Sequence, residues 1–221
     1  MTMPDIMFHT SHLARFMQSP SIYAYDMLID VLKYCYVRRN TGLTYGGKGS
    51  IAPIDLKEQN MPEVWSDASF GGSQVAPYGG GFIRWNNAAV VWLARKLKFI
   101  PLSTCEAEVA AIVSMLKEVV FVVSVLIDMG VDLTGKIPCI TDSKSAKDVI
   151  MNPGVTKHTA HFKRWLHWAR ERYLNGEIEI YLAPDEKMMA DDKTKVVDRN
   201  KLFHCRAFQL NAPRDFRGGE A

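Results

Sequence analysis

The sequence predicts an α/β domain built on a five-stranded mixed sheet flanked by helices, with a small helical extension at its N-terminus. From residue 63 onward, short alternating or apolar runs typical of strands are interleaved with longer runs of helical periodicity, in the order βββ-α-β-α-α-β-α. Before that point the apolar residues follow helical spacing. We therefore divide the chain into a helical segment and linker at 1–62, the α/β domain at 63–209 and a loose tail at 210–221.

The composition is that of an ordinary soluble globular protein. Of 221 residues, 48% are hydrophobic and 23% are charged, and a net charge of +3 does not by itself indicate a nucleic-acid partner. The four cysteines form no C-x-x-C pair, which predicts reduced thiols in an intracellular protein. No secretory signal is visible. Charges at Lys117, Glu118 and Asp128 interrupt the most apolar stretch, so we predict a core helix and no membrane span.

The N-terminal segment reads as two helices and a turn. A short amphipathic piece at 11–18 ends at Pro20, and a longer helix follows at 22–38. Residues 42–47 look like a short strand and turn before a polar connector. No residue of this segment is predicted to carry chemistry, so we interpret it as a packing element.

The first predicted strand, 64–70, carries an acidic residue at its centre. Alternation places Asp67 on the same face as Trp65 and Ser69. An ionised carboxylate in such a strand is costly to bury unless a positive charge compensates, and no Lys or Arg stands beside it. A bound metal cation is the simplest source of that positive charge. The alternative is an edge strand that exposes Asp67 to water.

Two further strands complete an antiparallel meander with the first one. They lie at 80–85 and 89–93, and the Asn86-Asn87 pair between them suits a two-residue hairpin turn. The remaining predicted elements are a long helix between Ser103 and Gly130, a short buried strand at 136–141, helices at 143–152 and 158–174, a strand at 178–182 and a final helix at 186–200.

Three more acids fall where this sheet could gather them. Glu108 lies in the first turns of the long helix, and Asp142 ends the fourth strand, at the edge where α/β sheets place ligands. The final helix contributes Asp191 or Asp192, and periodicity does not choose between them. If the first and fourth strands are neighbours, these acids converge on Asp67.

The long helix offers two glutamates, of which one fits such a site. Glu106 and Glu108 are two residues apart and point to roughly opposite faces of the helix. A capping box with Ser103 uses Glu106, which leaves Glu108 as the ligand candidate. Four carboxylates suit two Mg²⁺ ions about 4 Å apart that cleave a phosphodiester. Without metal, the carboxylates would repel one another and their pKa values would rise.

Several short motifs form a recognisable series. In the α/β part they are Trp65-Ser66-Asp67-Ala68-Ser69, Leu102-Ser103-Thr104-Cys105-Glu106-Ala107-Glu108, Thr141-Asp142-Ser143-Lys144-Ser145-Ala146, Asn152-Pro153 with Thr156-Lys157-His158, and Ala190-Asp191-Asp192-Lys193-Thr194-Lys195. Before it stand Pro4-Asp5-Ile6, Ser11-His12-Leu13-Ala14-Arg15-Phe16-Met17 and Gly42-Leu43-Thr44-Tyr45-Gly46. The first group resembles the ribonuclease H domain of copia-type retrotransposon polyproteins. The second resembles the connection region of the preceding reverse transcriptase.

This resemblance implies a ribonuclease H-like fold and two-metal cleavage of the RNA strand of RNA–DNA hybrids. It implies that Mg²⁺ is the cofactor, with Mn²⁺ as a substitute, and in the family's Ala-Asp-x-x-Thr-Lys pattern it selects Asp191 over Asp192. Cellular members usually carry a His before the last helix, whereas residues 182–189 contain none, which lowers the expected rate. The implied catalytic and metal-binding residues are Asp67, Glu108, Asp142 and Asp191.

The helix at 158–174 combines an apolar stripe with a basic face that suits phosphate contacts along a duplex. The alternative interpretation is a solvated surface, since every surface helix is polar somewhere. Discrimination of a hybrid would rest on minor-groove shape and RNA 2′-hydroxyls. The expected core residues are Phe162, Trp165, Leu166, Ala169 and Tyr173. The residues expected to bind nucleic acid are Lys144, Lys157, Lys163, Arg164, His167, Trp168 and Arg170.

A second function is compatible with the same motifs. These 221 residues do not include the polymerase palm with its paired Asp residues, the integrase or the protease of such polyproteins, which fits either a domain excised from a polyprotein or a host-adopted remnant. A host-adopted remnant would act as a non-catalytic structural or nucleic-acid-binding subunit of a larger ribonucleoprotein or organellar complex, on structured RNA or a hybrid. We expect cytoplasm or nucleus for a retroelement product and an organelle for an adopted one. Integrase-type and transposase-type relatives share the acid-centred sheet but not these motifs.

Overall fold

A mixed β-sheet forms the centre of the computed structural model, which describes residues 3–47, 53–57, 60–71, 76–152, 154 and 162–211. The strands lie side by side in the order β3-β2-β1-β4-β5. Their bounds are β1 Glu63–Ser69, β2 Tyr78–Trp85, β3 Ala88–Lys96, β4 Ile137–Thr141 and β5 Ile178–Leu182. The helices are α1 Met7–Leu13, α2 Ile22–Val37, α3 Thr104–Asp128, α4 Lys144–Met151, α5 Lys163–Leu174 and α6 Arg199–Leu210.

The strand pairing confirms the predicted fold class, an α/β domain on a five-stranded mixed sheet. Strands β1, β2 and β3 form an antiparallel meander, whereas β4 runs parallel to both β1 and β5. Asn86 and Asn87 both have positive φ, 50° and 74°, as a tight hairpin turn requires. The first and fourth strands are neighbours, with Val64 opposite Cys139. That pairing is the condition on which convergence of the acids depends.

Alternation along β1 divides the core into two layers. Val64 packs on one face of the sheet, in the cluster that α3 fills with Val109, Ile112 and Leu116. Trp65 packs on the other face against Phe82 and Phe208 of α6. By length and composition alone α3 could cross a membrane. Its burial against β1 and β2 agrees with the core helix that the sequence predicts.

The predicted final helix at 186–200 is wrong. The chain there forms two short 3-10 turns, Asp185–Lys187 and Asp191–Lys193, and α6 begins only at Arg199. The apolar run at 188–190 that favoured a helix is buried beneath the sheet in irregular backbone. Asp198 caps α6 by accepting hydrogen bonds from two backbone N–H groups, and the helix continues to Leu210, into the predicted tail. Residues 212–221 lie outside the described residues.

The N-terminal segment is helical, as predicted, but α2 buries only Ala24 fully. Its predicted apolar stripe is largely exposed, as at Leu28 and Leu32. The segment is fastened to the α/β domain by polar contacts: Tyr34 donates a hydrogen bond to buried Asp5 and accepts one from Arg206 of α6 at 3.2 Å.

Residues 42–47 form no strand. The segment is instead held by backbone hydrogen bonds from Thr44 to Leu210 and from Gly46 to Asn86. Because these bonds are isolated, they hold the segment in place without building a sixth strand of the sheet.

Candidate metal and catalytic site

Three aspartates from separate parts of the chain meet at the end of the sheet. Carboxylate oxygens of Asp67, Asp142 and Asp191 all lie within 4.8 Å of one another. Asp67 and Asp191 are 2% and 3% exposed, and Asp142 is partly buried. The predicted convergence is therefore present for these three residues.

Local structure explains how each aspartate reaches the cluster. Asp67 lies in β1 opposite Gly80 of β2, so the neighbouring strand places no side chain beside its carboxylate. Asp142 follows β4 directly, and Ser143 then caps α4 by accepting a hydrogen bond from the backbone N–H of Ala146. Asp191 opens a 3-10 turn that is joined to β1, because the Thr194 hydroxyl donates a hydrogen bond to the Asp67 carboxylate.

Glu108 lies beside this cluster rather than within the group of three. It is buried in α3, and its Oε2 has no hydrogen-bond partner among the described residues. Glu106 has the structural role predicted for it. Ser103 accepts a hydrogen bond from the Glu106 backbone at 3.1 Å, and the Glu106 carboxylate accepts one from the Leu102 backbone at 2.6 Å. In a capping box the Glu side chain accepts a hydrogen bond from the backbone N–H of the cap residue; here it accepts one from Leu102, the residue before Ser103.

The electrostatics of the cluster disfavour four negative charges. Burial, with further contributions from Asp191 and Asp142, raises the pKa of Asp67 to about 6 against the opposing effects of Lys195 and Thr194. Burial and the neighbouring Asp67 raise the pKa of Glu108 well above its ordinary value. The pKa of Asp142 is raised by burial and by Asp191. A divalent cation would relieve the free-energy cost of ionising these groups.

The structure also separates Asp191 from Asp192. The Asp192 carboxylate binds the fully buried Lys193 ammonium at 2.5 Å and accepts a hydrogen bond from Gln209 at 3.0 Å. Gln209 in turn accepts a hydrogen bond from Lys193 at 2.7 Å. Asp192 is therefore part of an internal ionic network, while Asp191 faces the acid cluster. This geometry agrees with the choice that the motif implies.

Two lysines that sequence reasoning did not assign to the site contact Asp191. The Lys195 ammonium is 2.6 Å from Oδ1, and the Lys201 ammonium is 2.8 Å from Oδ2. The i,i+4 spacing of Asp191 and Lys195 was a sequence signal for the Lys195 contact. The Lys201 contact depends on the position of α6, where the sequence prediction was wrong. Among the described residues, Asp67, Glu108 and Asp142 form no ion pair.

The donor set fits a divalent cation with oxygen ligands. Three carboxylates lie close enough to share one ion, and the unpartnered Oε2 of Glu108 is a further acceptor at the edge. No His or Cys belongs to this group of ligands, which favours Mg²⁺ or Mn²⁺ over zinc.

The basic face of α5 is partly as predicted. Lys163, Arg164 and His167 are exposed and line an open cleft of about 800 Å³ together with Trp165 and Phe99, whose ring centroids lie 4.7 Å apart with the planes tilted by 54°. Trp165 also packs against the core, as predicted, whereas Phe99 was not among the predicted residues.

The remaining predicted contacts lie in different surroundings. Lys144 is exposed at the start of α4, whereas Trp168 is half-buried with the Arg172 guanidinium over its ring. Lys157 lies outside the described residues.

The expectation that Arg170 lies on the exposed face is wrong. Arg170 is 4% exposed, and its guanidinium donates hydrogen bonds to the carbonyl oxygens of Val149 at 2.8 Å and Gly154 at 2.9 Å. Because α5 packs against α4, this position faces the neighbouring helix instead of water. Arg170 therefore joins the two helices.

Comparison with known proteins identifies homologues of the chain. No protein-family model matches the chain. The retrovirus-related Pol polyprotein from transposon TNT 1-94 of Nicotiana tabacum is 28% identical over 207 residues, which are 93% of this chain and 15% of that protein. The corresponding polyprotein from transposon RE1 of Arabidopsis thaliana is 24% identical over 202 residues, 90% of this chain and 13% of that protein. The chain thus spans a small part of these relatives.

Among solved structures, the N-terminal RNase H domain of rv2228c from Mycobacterium tuberculosis superposes with a TM-score of 0.47 at 11% identity. The match covers 66% of this chain and 95% of that one. The similarity to the transposon proteins extends through all the motifs from Asp67 to Asp191 and into the N-terminal segment. The chain is therefore a homologue of the retrovirus-related Pol polyproteins of transposons, which confirms the resemblance that its motifs indicate.

Proposed function

We propose that this protein is a metal-dependent endonuclease that cleaves the RNA strand of RNA–DNA hybrids. The observation that carries the proposal is the meeting of Asp67, Asp142 and Asp191 within 4.8 Å, with Glu108 beside them. Gathering buried like charges costs free energy, and a bound divalent cation would offset that cost. The homology to transposon Pol polyproteins and the sheet topology support the same activity.

The three aspartates would hold Mg²⁺ or Mn²⁺, and Glu108 would contribute from α3. Bound in a pair, such ions activate a water and stabilise the charge on the leaving oxygen of a phosphodiester. The protein's own contribution is to fix the ligands before the ions arrive. Thr194 orients the Asp67 carboxylate, and Lys201 orients that of Asp191.

The hybrid would lie across the domain on the side of α4 and α5. Lys163, Arg164 and His167 are exposed there, and Lys144 at the start of α4 is two residues from Asp142. Contacts from these side chains to phosphates supply affinity without reading sequence. Recognition of the RNA strand would come from its 2′-hydroxyls.

The test is cleavage of an end-labelled RNA–DNA hybrid in Mg²⁺. We expect wild type to cleave only the RNA strand, and Asp142→Asn to lose activity by about a thousandfold or more because an ion ligand is removed. Asp148→Asn is the matched control, since it neutralises an exposed acid on α4 and should cleave as wild type does. Failure of wild type to cleave, or equal cleavage by Asp142→Asn, would refute the proposal.

The non-catalytic subunit is the second candidate, and the contacts of Lys195 and Lys201 with Asp191 favour it. In that function, protein cations would neutralise the cluster permanently. The protein would then bind no divalent ion at these acids and would occur in stoichiometric complex with other macromolecules. Tight Mn²⁺ binding that depends on Asp142 would rule it out.

A further inference from the structure

We infer that Lys195 is a phosphate ligand of this site: its ammonium neutralises the acid cluster before metal binds and contacts the nucleic-acid backbone afterwards. The inference deepens the proposed nuclease function and rests on it. Its basis is the difference between two lysines that contact the same carboxylate.

The charge of Lys195 acts on all four acids of the site. Its ammonium lies 2.6 Å from Asp191 Oδ1 and also interacts electrostatically with Asp67 and Asp142. The backbone N–H of Lys195 donates to the Asp191 carbonyl at 3.2 Å, which fixes the start of the side chain. The ammonium thus stands beside the carboxylates that would bind ions.

Lys201 contacts the same carboxylate but is held in place. Its ammonium binds Asp191 Oδ2 at 2.8 Å and the Asp185 carbonyl at 2.6 Å, and its side chain is only 15% exposed. The Lys195 side chain is 46% exposed, and its ammonium has Asp191 as its single ion-pair partner in the described part of the chain. Lys201 is therefore a positioning residue, whereas Lys195 is able to turn toward solvent.

The net charge of the site determines whether the Lys195 side chain is drawn toward the carboxylates or turns toward solvent. Counted with all four carboxylates ionised, the acids and the two lysines carry a formal charge of about −2, and two bound divalent ions would change it to about +2. A cation at Lys195 that was attracted in the first state is repelled in the second. A phosphodiester is the anion that such a site would then attract, and the exposed Lys195 ammonium is placed to bind it.

The first test measures Mn²⁺ binding by electron paramagnetic resonance on the intact chain without nucleic acid. We expect Lys195→Met to bind Mn²⁺ more tightly by on the order of tenfold, because a competing cation is removed. Lys195→Arg keeps the charge and should bind as wild type does. The matched control is Lys33→Met, which removes an exposed lysine paired with Asp30 at 3.2 Å on α2 and should change nothing.

The second test measures hybrid affinity against salt concentration in Ca²⁺, which takes the same oxygen ligands with looser geometry than Mg²⁺. We expect the slope of log affinity on log salt to decrease by about one for Lys195→Met, since one phosphate contact is lost. Lys195→Arg should keep the wild-type slope, and so should Lys33→Met. Circular dichroism and thermal unfolding verify that each variant is folded.

Unchanged Mn²⁺ affinity in folded Lys195→Met would overturn the counter-ion part of the inference, and an unchanged salt slope would overturn the phosphate part. These outcomes differ from failure of the nuclease proposal. If wild type did not cleave while Lys195→Met altered both Mn²⁺ affinity and salt slope, the nuclease function would fall and Lys195 would still be a phosphate ligand.

Discussion

Two buried groups of charges lie next to each other in this protein and differ in how their charges are satisfied. Asp192, Lys193 and Gln209 form a closed network in which both carboxylate oxygens have donors. One residue away, Asp191 belongs to a cluster in which Asp67 and Asp142 are like charges that form no ion pair with any described residue. A buried charge that finds its partner within the protein stabilises the fold. A buried charge without a partner in the protein indicates that a ligand binds there.

The largest expected effect comes from the open cluster. Asp67→Asn should reduce single-turnover cleavage by about a thousandfold or more, because it removes an ion ligand. It should leave the free energy of unfolding unchanged or raised in metal-free buffer, because Asn still accepts the Thr194 hydrogen bond and one repelling charge is gone. Urea unfolding in EDTA measures the second quantity. A clear loss of stability would show that Asp67 serves the fold.

The closed network should respond in the opposite way. Asp192→Asn leaves the fully buried Lys193 ammonium without a counter-ion and should lower the free energy of unfolding by about 3–5 kcal/mol. Cleavage per folded molecule should stay close to wild type. In a double-mutant cycle, Asp192→Asn with Lys193→Met should cost less than the sum of the single changes. Additive costs would mean that the two residues do not stabilise each other.

The pH dependence of stability should report on the charge of Asp67 in the open cluster. The pKa of Asp67 is about 6 in the folded protein and 3.8 without burial, so the folded state binds more protons between these values. In EDTA, the free energy of unfolding should therefore fall as the pH rises from about 4 to about 6, with Asp67 contributing roughly 3 kcal/mol at most.

The comparison variant for that experiment is Asp67→Asn, which lacks this contribution. The difference in stability between wild type and Asp67→Asn should change across the window, and saturating Mg²⁺ should remove the change by binding the ionised carboxylates. If the stability difference between wild type and Asp67→Asn did not change with pH in EDTA, the pKa of Asp67 would not be raised in the folded protein.

The smallest effect concerns two arginines of α5. Arg170→Met removes two charge-assisted hydrogen bonds to carbonyl oxygens and should lower the free energy of unfolding by about 1.5–3 kcal/mol. Arg164→Met alters an exposed side chain and should change stability little while weakening hybrid binding. Salt-dependent binding and urea unfolding of both variants measure these changes. If Arg164→Met lost stability and Arg170→Met lost only hybrid binding, Arg164 would stabilise the fold and Arg170 would contact the nucleic acid.

Local signals were sufficient to predict most of the sheet. The Asn86-Asn87 turn, the Ser103 cap and the alternation around Asp67 act within a few residues, and the structure contains all three. The choice of Asp191 over Asp192 needed the motif, because adjacent residues in an irregular turn follow no periodicity.

The wrong predictions concern residues whose positions depend on packing between elements that are distant in the sequence. Arg170 lies on the polar side of α5 by sequence but faces α4 in the fold. Residues 188–190, which fall within the predicted final helix, are buried under the sheet in irregular backbone. The contact of Lys201 with Asp191 requires α6 in its true position, so it could not be predicted either.

The most direct test of the central claim is the anomalous scattering of Mn²⁺ in crystals soaked with the metal. The account predicts manganese peaks in contact with carboxylate oxygens of Asp67, Asp142 and Asp191, with the Lys195 ammonium displaced from Asp191. No manganese at these oxygens, with Lys195 still paired to Asp191, would contradict it.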